Sequence, residues 1–149
     1  MWDKLKKQVA VELEQLKHLL EVHRSLLTKC ITDVPDPIEI SALAAMLHSF
    51  YTGVENIFKR IAVSLDEGLP KGEMWHRQLL DAMTQPTEMR KAVISEPLRQ
   101  TLRPYLDFRH TFRHAYSFEL KWEKMAHLVH DCEQTLLRLE AELDAFLKN

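Results

Sequence analysis

Apolar residues recur at steps of three and four along most of this chain, and that spacing limits the fold more than any other feature. The first stripe consists of Leu5, Val9, Leu13, Leu16, Leu20, His23 and Leu27. A similar stripe runs through residues 122–146 near the end. Side chains at this spacing share one face of an α-helix, whereas β-strands alternate every second residue. The sequence therefore predicts an all-α protein.

The stripes and the breaks between them predict five helices. They cover residues 3–28, 38–64, 73–83, the stretch that follows Ser95, and residues 121–147. Asp36 is placed to cap the second helix, with Pro37 at its first position and Glu39 at the capping-box position. Since neither repeats nor strand alternation are present, we expect one domain over residues 1–149. Its predicted form is an antiparallel bundle of four main helices plus a short one.

Composition and charge narrow the class of protein. The chain has 46% apolar and 28% charged residues, and its net charge is −2. It is therefore not a general nucleic-acid coat, and any RNA contact must come from a local patch. With no secretory leader and no apolar run of about 18 residues, we expect a cytoplasmic protein that does not enter a membrane. Cys30 and Cys132 lie in separate helical patterns and are expected to be buried free thiols rather than a disulfide.

One polar cluster stands out, at residues 109–116. It reads Arg-His-Thr-Phe-Arg-His-Ala-Tyr and so holds two arginines, two histidines and a tyrosine. Arginine binds phosphate through two parallel hydrogen bonds, and histidine transfers protons near neutral pH. These side chains suit phosphodiester chemistry on nucleic acid.

A straight helix would not bring all of this cluster to one face. Successive residues are about 100° apart, so Arg109, Arg113 and Tyr116 share a face while His114 points about 140° away from Arg109. A site that uses both Arg109 and His114 needs a distorted helix, or two copies of the chain that face each other across a two-fold axis. We therefore expect a homodimer.

Two other interpretations of the cluster stay open. Its arginines and histidines would also suit a solvated helix face. His110 and His114 are four residues apart and would reach one metal ion from a single face, but no motif supplies a third ligand. We expect no metal, and the lack of a glycine-rich phosphate loop argues against a nucleoside triphosphate site of that type.

Two positions outside the cluster are further candidates. Glu55 and Asn56 lie on a largely apolar helix, and we favour a solvent-facing pair. The alternative is that Glu55 is a buried carboxylate that orients an arginine, which would make it a supporting residue of the site. His76, beside Trp75, is interpreted as structural, with a place in the site as the alternative.

At the polar cluster the sequence resembles the HEPN superfamily and, within it, the HepT-like toxins of toxin–antitoxin pairs. The family signature is an arginine, four to six residues, a histidine, and a tyrosine two residues after it. Arg109, His114 and Tyr116 match that spacing. Residues 50–58 and 102–108 also look like HepT-type helices. One departure is His110, a supporting residue that stands where many members carry asparagine.

The resemblance implies a HEPN-like bundle and an activity. It implies a homodimeric, metal-independent endoribonuclease, with the motif at the dimer cleft, that acts as the toxin of a type II/VII-like toxin–antitoxin system. It also implies a partner, a nucleotidyltransferase-type (MNT) antitoxin. In the HepT group that partner attaches AMP to the motif tyrosine, which here is Tyr116.

The residue types suggest a division of roles within the motif. His114 is expected to take the proton of an RNA 2′-hydroxyl, and Arg109 to stabilise charge on the phosphate. Arg113 would add a second phosphate contact, and Tyr116 would position RNA by stacking or hydrogen bonding. The alternative from another class is a non-catalytic helical module that binds RNA or a nucleotidyltransferase partner through the same surface.

Overall fold

The described part of the chain is helical, which confirms the all-α prediction. The computed structural model describes residues 2–112 and 120–148. Within them lie α1 (Trp2–Val22), α2 (Arg24–Thr32), α3 (Pro37–Leu65), α4 (Trp75–Ala82), α5 (Glu96–Phe112) and α6 (Trp122–Leu147). The predicted residues Arg113, His114 and Tyr116 lie outside the described ranges. None of the helices in those ranges is both long and apolar enough to cross a lipid bilayer.

The first predicted helix is in fact two helices, so the expectation of one helix over residues 3–28 is wrong. His23 separates α1 from α2, and its backbone N–H donates to the carbonyl of Leu20, three residues back, at 3.2 Å. Its ring Nδ1 also lies 2.9 Å from the carbonyl of Leu19, four residues back. These bonds interrupt the regular ladder while the apolar stripe continues, which is why the stripe alone did not reveal the break.

The long helix α3 lies at the centre of the bundle and packs against α1, α4, α5 and α6. Its start has the predicted capping box: Glu39 N–H donates to Asp36 Oδ1 at 2.8 Å, and Asp36 N–H donates to Glu39 Oε1 at 3.0 Å. Gly53 lets α1 approach closely, because a Cβ there would lie 2.5 Å from Leu16 Cδ2. The position of α3 decides which side chains α4 and α5 can reach.

A buried arginine fixes the connection between α4 and α5. Arg90 makes two parallel bonds to Asp66 just after α3, with Nε–Oδ1 at 2.8 Å and Nη2–Oδ2 at 3.0 Å. It also donates to the backbone carbonyls of Ala82, Gln85 and Lys91. One side chain therefore holds the end of α3, the end of α4 and the following loop together.

The start of α5 is tied to α6. Ser95 Oγ accepts a hydrogen bond from Leu98 N–H at 3.3 Å, as an N-cap does. The Ser95 N–H and hydroxyl in turn donate to the two carboxylate oxygens of Glu142, at 2.6 and 2.9 Å. Further along α5, the buried Tyr105 hydroxyl donates to the Leu128 carbonyl at 2.7 Å. These bonds set the position of α5 and of the residues at its far end.

Candidate functional site

Arg109, the first residue of the polar cluster, lies buried near the end of α5. Only 6% of it is exposed, and the side chain points toward α3 rather than into water. The solvated interpretation of the cluster is therefore wrong for this residue. Since a buried guanidinium is costly unless it is paired, its partners decide what it can do.

The main partner of Arg109 is Glu55 of α3. Arg109 Nη2 donates to Glu55 Oε1 at 3.1 Å, and Glu55 is only 3% exposed. Arg109 Nη1 also donates to Thr52 Oγ1, one turn earlier on α3, at 3.4 Å. The solvent-facing interpretation of Glu55 is wrong, because α5 covers this face of α3. Its carboxylate neutralises and orients the arginine.

Tyr51 forms one wall beside the ion pair. The Arg109 Cζ atom lies 5.4 Å from the centre of the Tyr51 ring, within the range of a cation–π contact. Tyr51 is fully buried, and its Oη has no hydrogen-bond partner in the described ranges. Burial, together with the nearby Glu55 charge, raises the pKa of Tyr51 well above its ordinary value. The phenol therefore stays neutral.

His76 of α4 completes a group of three with Glu55 and Arg109. Its Nδ1 lies 2.7 Å from Glu55 Oε2 and 2.9 Å from Arg109 Nη2. A carboxylate can only accept hydrogen bonds, so we assign a proton to Nδ1, which donates it to Glu55. The structural interpretation of His76 is therefore incomplete, since its ring joins the candidate site.

A cleft of about 340 Å³ opens beside this group, between α5 and the start of α4. It is lined by Glu73, Met74, His76, Arg77, Leu106, Asp107, Arg109, His110 and Thr111. His110, the residue after the motif arginine, is exposed at its rim. The cleft thus brings two arginines and two histidines together, the side chains that bind phosphate and move protons.

Metal binding gains no support from the described ranges. No group of three histidine, cysteine, aspartate or glutamate side chains in residues 2–112 and 120–148 is placed to hold an ion. His114, the second histidine of the possible two-histidine face, lies outside those residues.

Sequence spacing alone could not assemble the site. Glu55 and Arg109 are 54 positions apart, and His76 is 21 positions from Glu55. The one signal for Glu55 was a carboxylate on an otherwise apolar helix. For His76 there was none beyond its residue type, because its role depends on how α4 sits against α3 and α5.

Comparison with known proteins supports the family suggested by the motif. No curated protein and no solved structure matches the chain significantly. A sequence model of a family described as HepT-like protein matches residues 42–149, which is well over half of the chain. The matched range contains Glu55, His76 and the whole polar cluster. The chain therefore belongs to the HepT-like protein family.

Proposed function

We propose that this protein is a metal-independent endoribonuclease that acts as the toxin of a toxin–antitoxin pair. Membership of the HepT-like family supports the class. The observation that carries the proposal is Arg109, a buried arginine that a carboxylate holds in place at the edge of a cleft. RNA is the proposed substrate.

The surroundings of Arg109 suit a phosphate-binding group. Arg109 Nη2 donates to Glu55 and Nη1 donates to Thr52, while the Nε hydrogen has no acceptor in residues 2–112 and 120–148. A donor that is already oriented, in a site largely shielded from water, stabilises developing negative charge better than a mobile surface side chain. Glu55 and the exposed His110 are proposed as supporting residues.

The proposed reaction is attack by the RNA itself. His114 takes the proton of the 2′-hydroxyl, and the 2′-oxygen then forms a bond to the adjacent phosphorus. The bond from phosphorus to the 5′-oxygen breaks, and a proton must reach that oxygen as it leaves. Arg109 stabilises the charge on the phosphate oxygens, and Arg113 adds a second phosphate contact.

Assembly and control are proposed as follows. Two copies of the chain face each other so that Arg109 and His114 act in one cleft at the dimer interface. A nucleotidyltransferase-type antitoxin is the regulatory partner, and it transfers AMP from ATP to the hydroxyl of Tyr116, with pyrophosphate as the leaving group. The added phosphate would repel RNA and the nucleoside would block its path.

The test is RNA cleavage by the purified full-length chain in EDTA. The wild-type protein should cut a single-stranded RNA oligonucleotide, and His114→Ala should reduce the rate by about 10²–10⁴-fold because it removes the base. Arg109→Lys should recover only part of the activity lost in Arg109→Ala, since a lysine ammonium cannot present donors to Glu55, Thr52 and a phosphate in one fixed plane. Arg138→Ala, on the exposed side of α6, is the matched control and should cleave normally. Cleavage that appears only after a divalent metal is added, or that His114→Ala retains in full, would contradict the proposal.

A further inference from the structure

We propose that His76 is a second catalytic residue, the general acid that protonates the leaving 5′-oxygen of the RNA. This inference rests on the proposed ribonuclease function and adds a group to it. The motif histidine accounts for the proton that is removed from the 2′-hydroxyl. It does not account for the proton that the 5′-oxygen must receive when its bond to phosphorus breaks.

The first argument is the way the His76 ring is held. Its Nδ1 lies 2.7 Å from the carboxylate of Glu55, which is itself 3% exposed. The neighbouring Trp75 ring lies against it, with the ring centres 3.7 Å apart. A carboxylate on one ring nitrogen fixes the orientation and the tautomer of an imidazole, as in serine-protease triads. A ring held in this way offers its other nitrogen, Nε2, for proton transfer.

The second argument is the direction of that other nitrogen. The two nitrogens of an imidazole point to different sides of the ring, so with Nδ1 turned to the buried Glu55, Nε2 faces away from that carboxylate. The His76 side chain is 28% exposed, and it lines the same cleft as Arg109. Nε2 makes no hydrogen bond to any residue in the described ranges.

The third argument is proximity to the phosphate-binding group. Arg109 Nη2 lies 2.9 Å from His76 Nδ1 and both side chains line the same cleft, so the proposal places the phosphate of the cleavage site against both groups. When the bond between phosphorus and the 5′-oxygen breaks, the Nε2 proton moves to that oxygen. His76 is left neutral, with its Nδ1 proton still on the side of Glu55. The proton taken by His114 and the one given by His76 balance, and the products are a 2′,3′-cyclic phosphate and a 5′-hydroxyl.

The test uses two RNA substrates that differ in one atom. One carries the normal 5′-oxygen at the cleavage site, and the other carries sulfur there. A thiolate leaves without protonation, whereas an alkoxide needs an acid. The key variant is His76→Asn, because its side-chain amide nitrogen can still donate to Glu55 from near the Nδ1 position while nothing replaces Nε2.

We expect His76→Asn to cleave the oxygen substrate about 10²-fold or more slowly than wild type and the sulfur substrate at a rate close to wild type. His114→Ala, which lacks the base, should be slow on both substrates. His18→Asn, an exposed histidine of α1, is the matched control and should behave as wild type on both. Thermal unfolding of each variant checks that the fold is kept.

The outcomes separate the two proposals. If the wild-type chain cleaves neither substrate, the ribonuclease function is wrong, and this inference is wrong with it. If wild type is active and His76→Asn cleaves the oxygen substrate at full rate, only this inference is wrong. If His76→Asn is equally slow on the oxygen and the sulfur substrate, His76 maintains the structure of the site and does not act as the general acid.

Discussion

Arg109 and Glu55 form a 3.1 Å ion pair between α5 and α3, although 54 positions separate them in the chain. Both side chains are more than nine-tenths buried, at 8% and 3% exposure. Each charge therefore depends on the other, because taking either one out of water is costly unless it is paired. The stability of the fold and the position of Arg109 in the candidate site therefore depend on the same ion pair.

The first prediction concerns this pair. Glu55→Ala should lower the free energy of unfolding by about 3–5 kcal/mol, because it leaves the Arg109 charge buried and unpaired. The double variant Glu55→Met/Arg109→Met should be more stable than either single methionine variant, since it removes both charges and keeps apolar volume. Urea unfolding of wild type, the two single methionine variants and the double variant measures the coupling. Strictly additive losses would mean that the two side chains do not depend on each other.

The second prediction concerns Arg90. Arg90→Ala removes its five hydrogen bonds and leaves the Asp66 carboxylate without its partner, so a loss of about 3–5 kcal/mol is expected. Arg90→Lys should recover only part of it, because lysine cannot make the two parallel bonds. The exposed pair of Arg138 gives the comparison, and Arg138→Ala should cost less than about 1 kcal/mol. Similar losses for Arg90→Ala and Arg138→Ala in urea unfolding would show that the connection between α4 and α5 does not depend on Arg90.

The third prediction concerns the thiols. Cys30 and Cys132 are both free and buried, as the sequence predicted. Burial raises the pKa of each thiol, so little thiolate forms near neutral pH. An aromatic disulfide that releases a yellow product when it reacts with a thiol can measure this at about pH 8. It should react slowly with the folded protein and quickly with both thiols in urea. Rapid reaction of the folded chain would mean that α2 or α6 opens often.

The fourth prediction concerns the dimer. Light scattering at micromolar concentration should give twice the mass of the chain. If each site takes Arg109 from one copy and His114 from the other, mixing inactive Arg109→Ala with inactive His114→Ala should restore part of the RNA cleavage, because a mixed dimer holds one intact pair. A monomer in solution would contradict the dimer. Mixing without recovery would place both residues of each site on one chain.

The fifth prediction concerns Tyr116. Tyr116→Phe should keep much of the ribonuclease activity and escape inactivation by AMP transfer, since the acceptor hydroxyl is gone. Growth of cells that express the variant together with the antitoxin measures this, and mass spectrometry of the wild-type chain should find the added AMP. If the antitoxin protects cells equally from Tyr116→Phe and wild type, it acts by covering the cleft instead.

Local patterns predicted most of the helices, because a stripe or a cap depends on neighbours within one or two turns. The capping box at Asp36 and Glu39 and the ends of α3 and α6 agree with the sequence within one residue. The break at His23 was not predicted, since the apolar stripe runs through it unchanged. The burial of Glu55 and the position of His76 depend on how three helices pack together. The spacing of residues along one helix gives no information on that packing.

The tie between Ser95 and Glu142 has a consequence for chains that are cut short. α5 carries Arg109, but the bonds at its start and at Tyr105 come from α6, the last helix of the described structure. Residue 142 must therefore have been synthesised and have left the ribosome before all of these contacts can form. A premature stop codon at any position from 110 to 142 would yield a fragment that contains Arg109 but lacks the Glu142 contacts at the start of its helix. The position of α5, and with it that of Arg109, is thus fixed only after α6 has been synthesised.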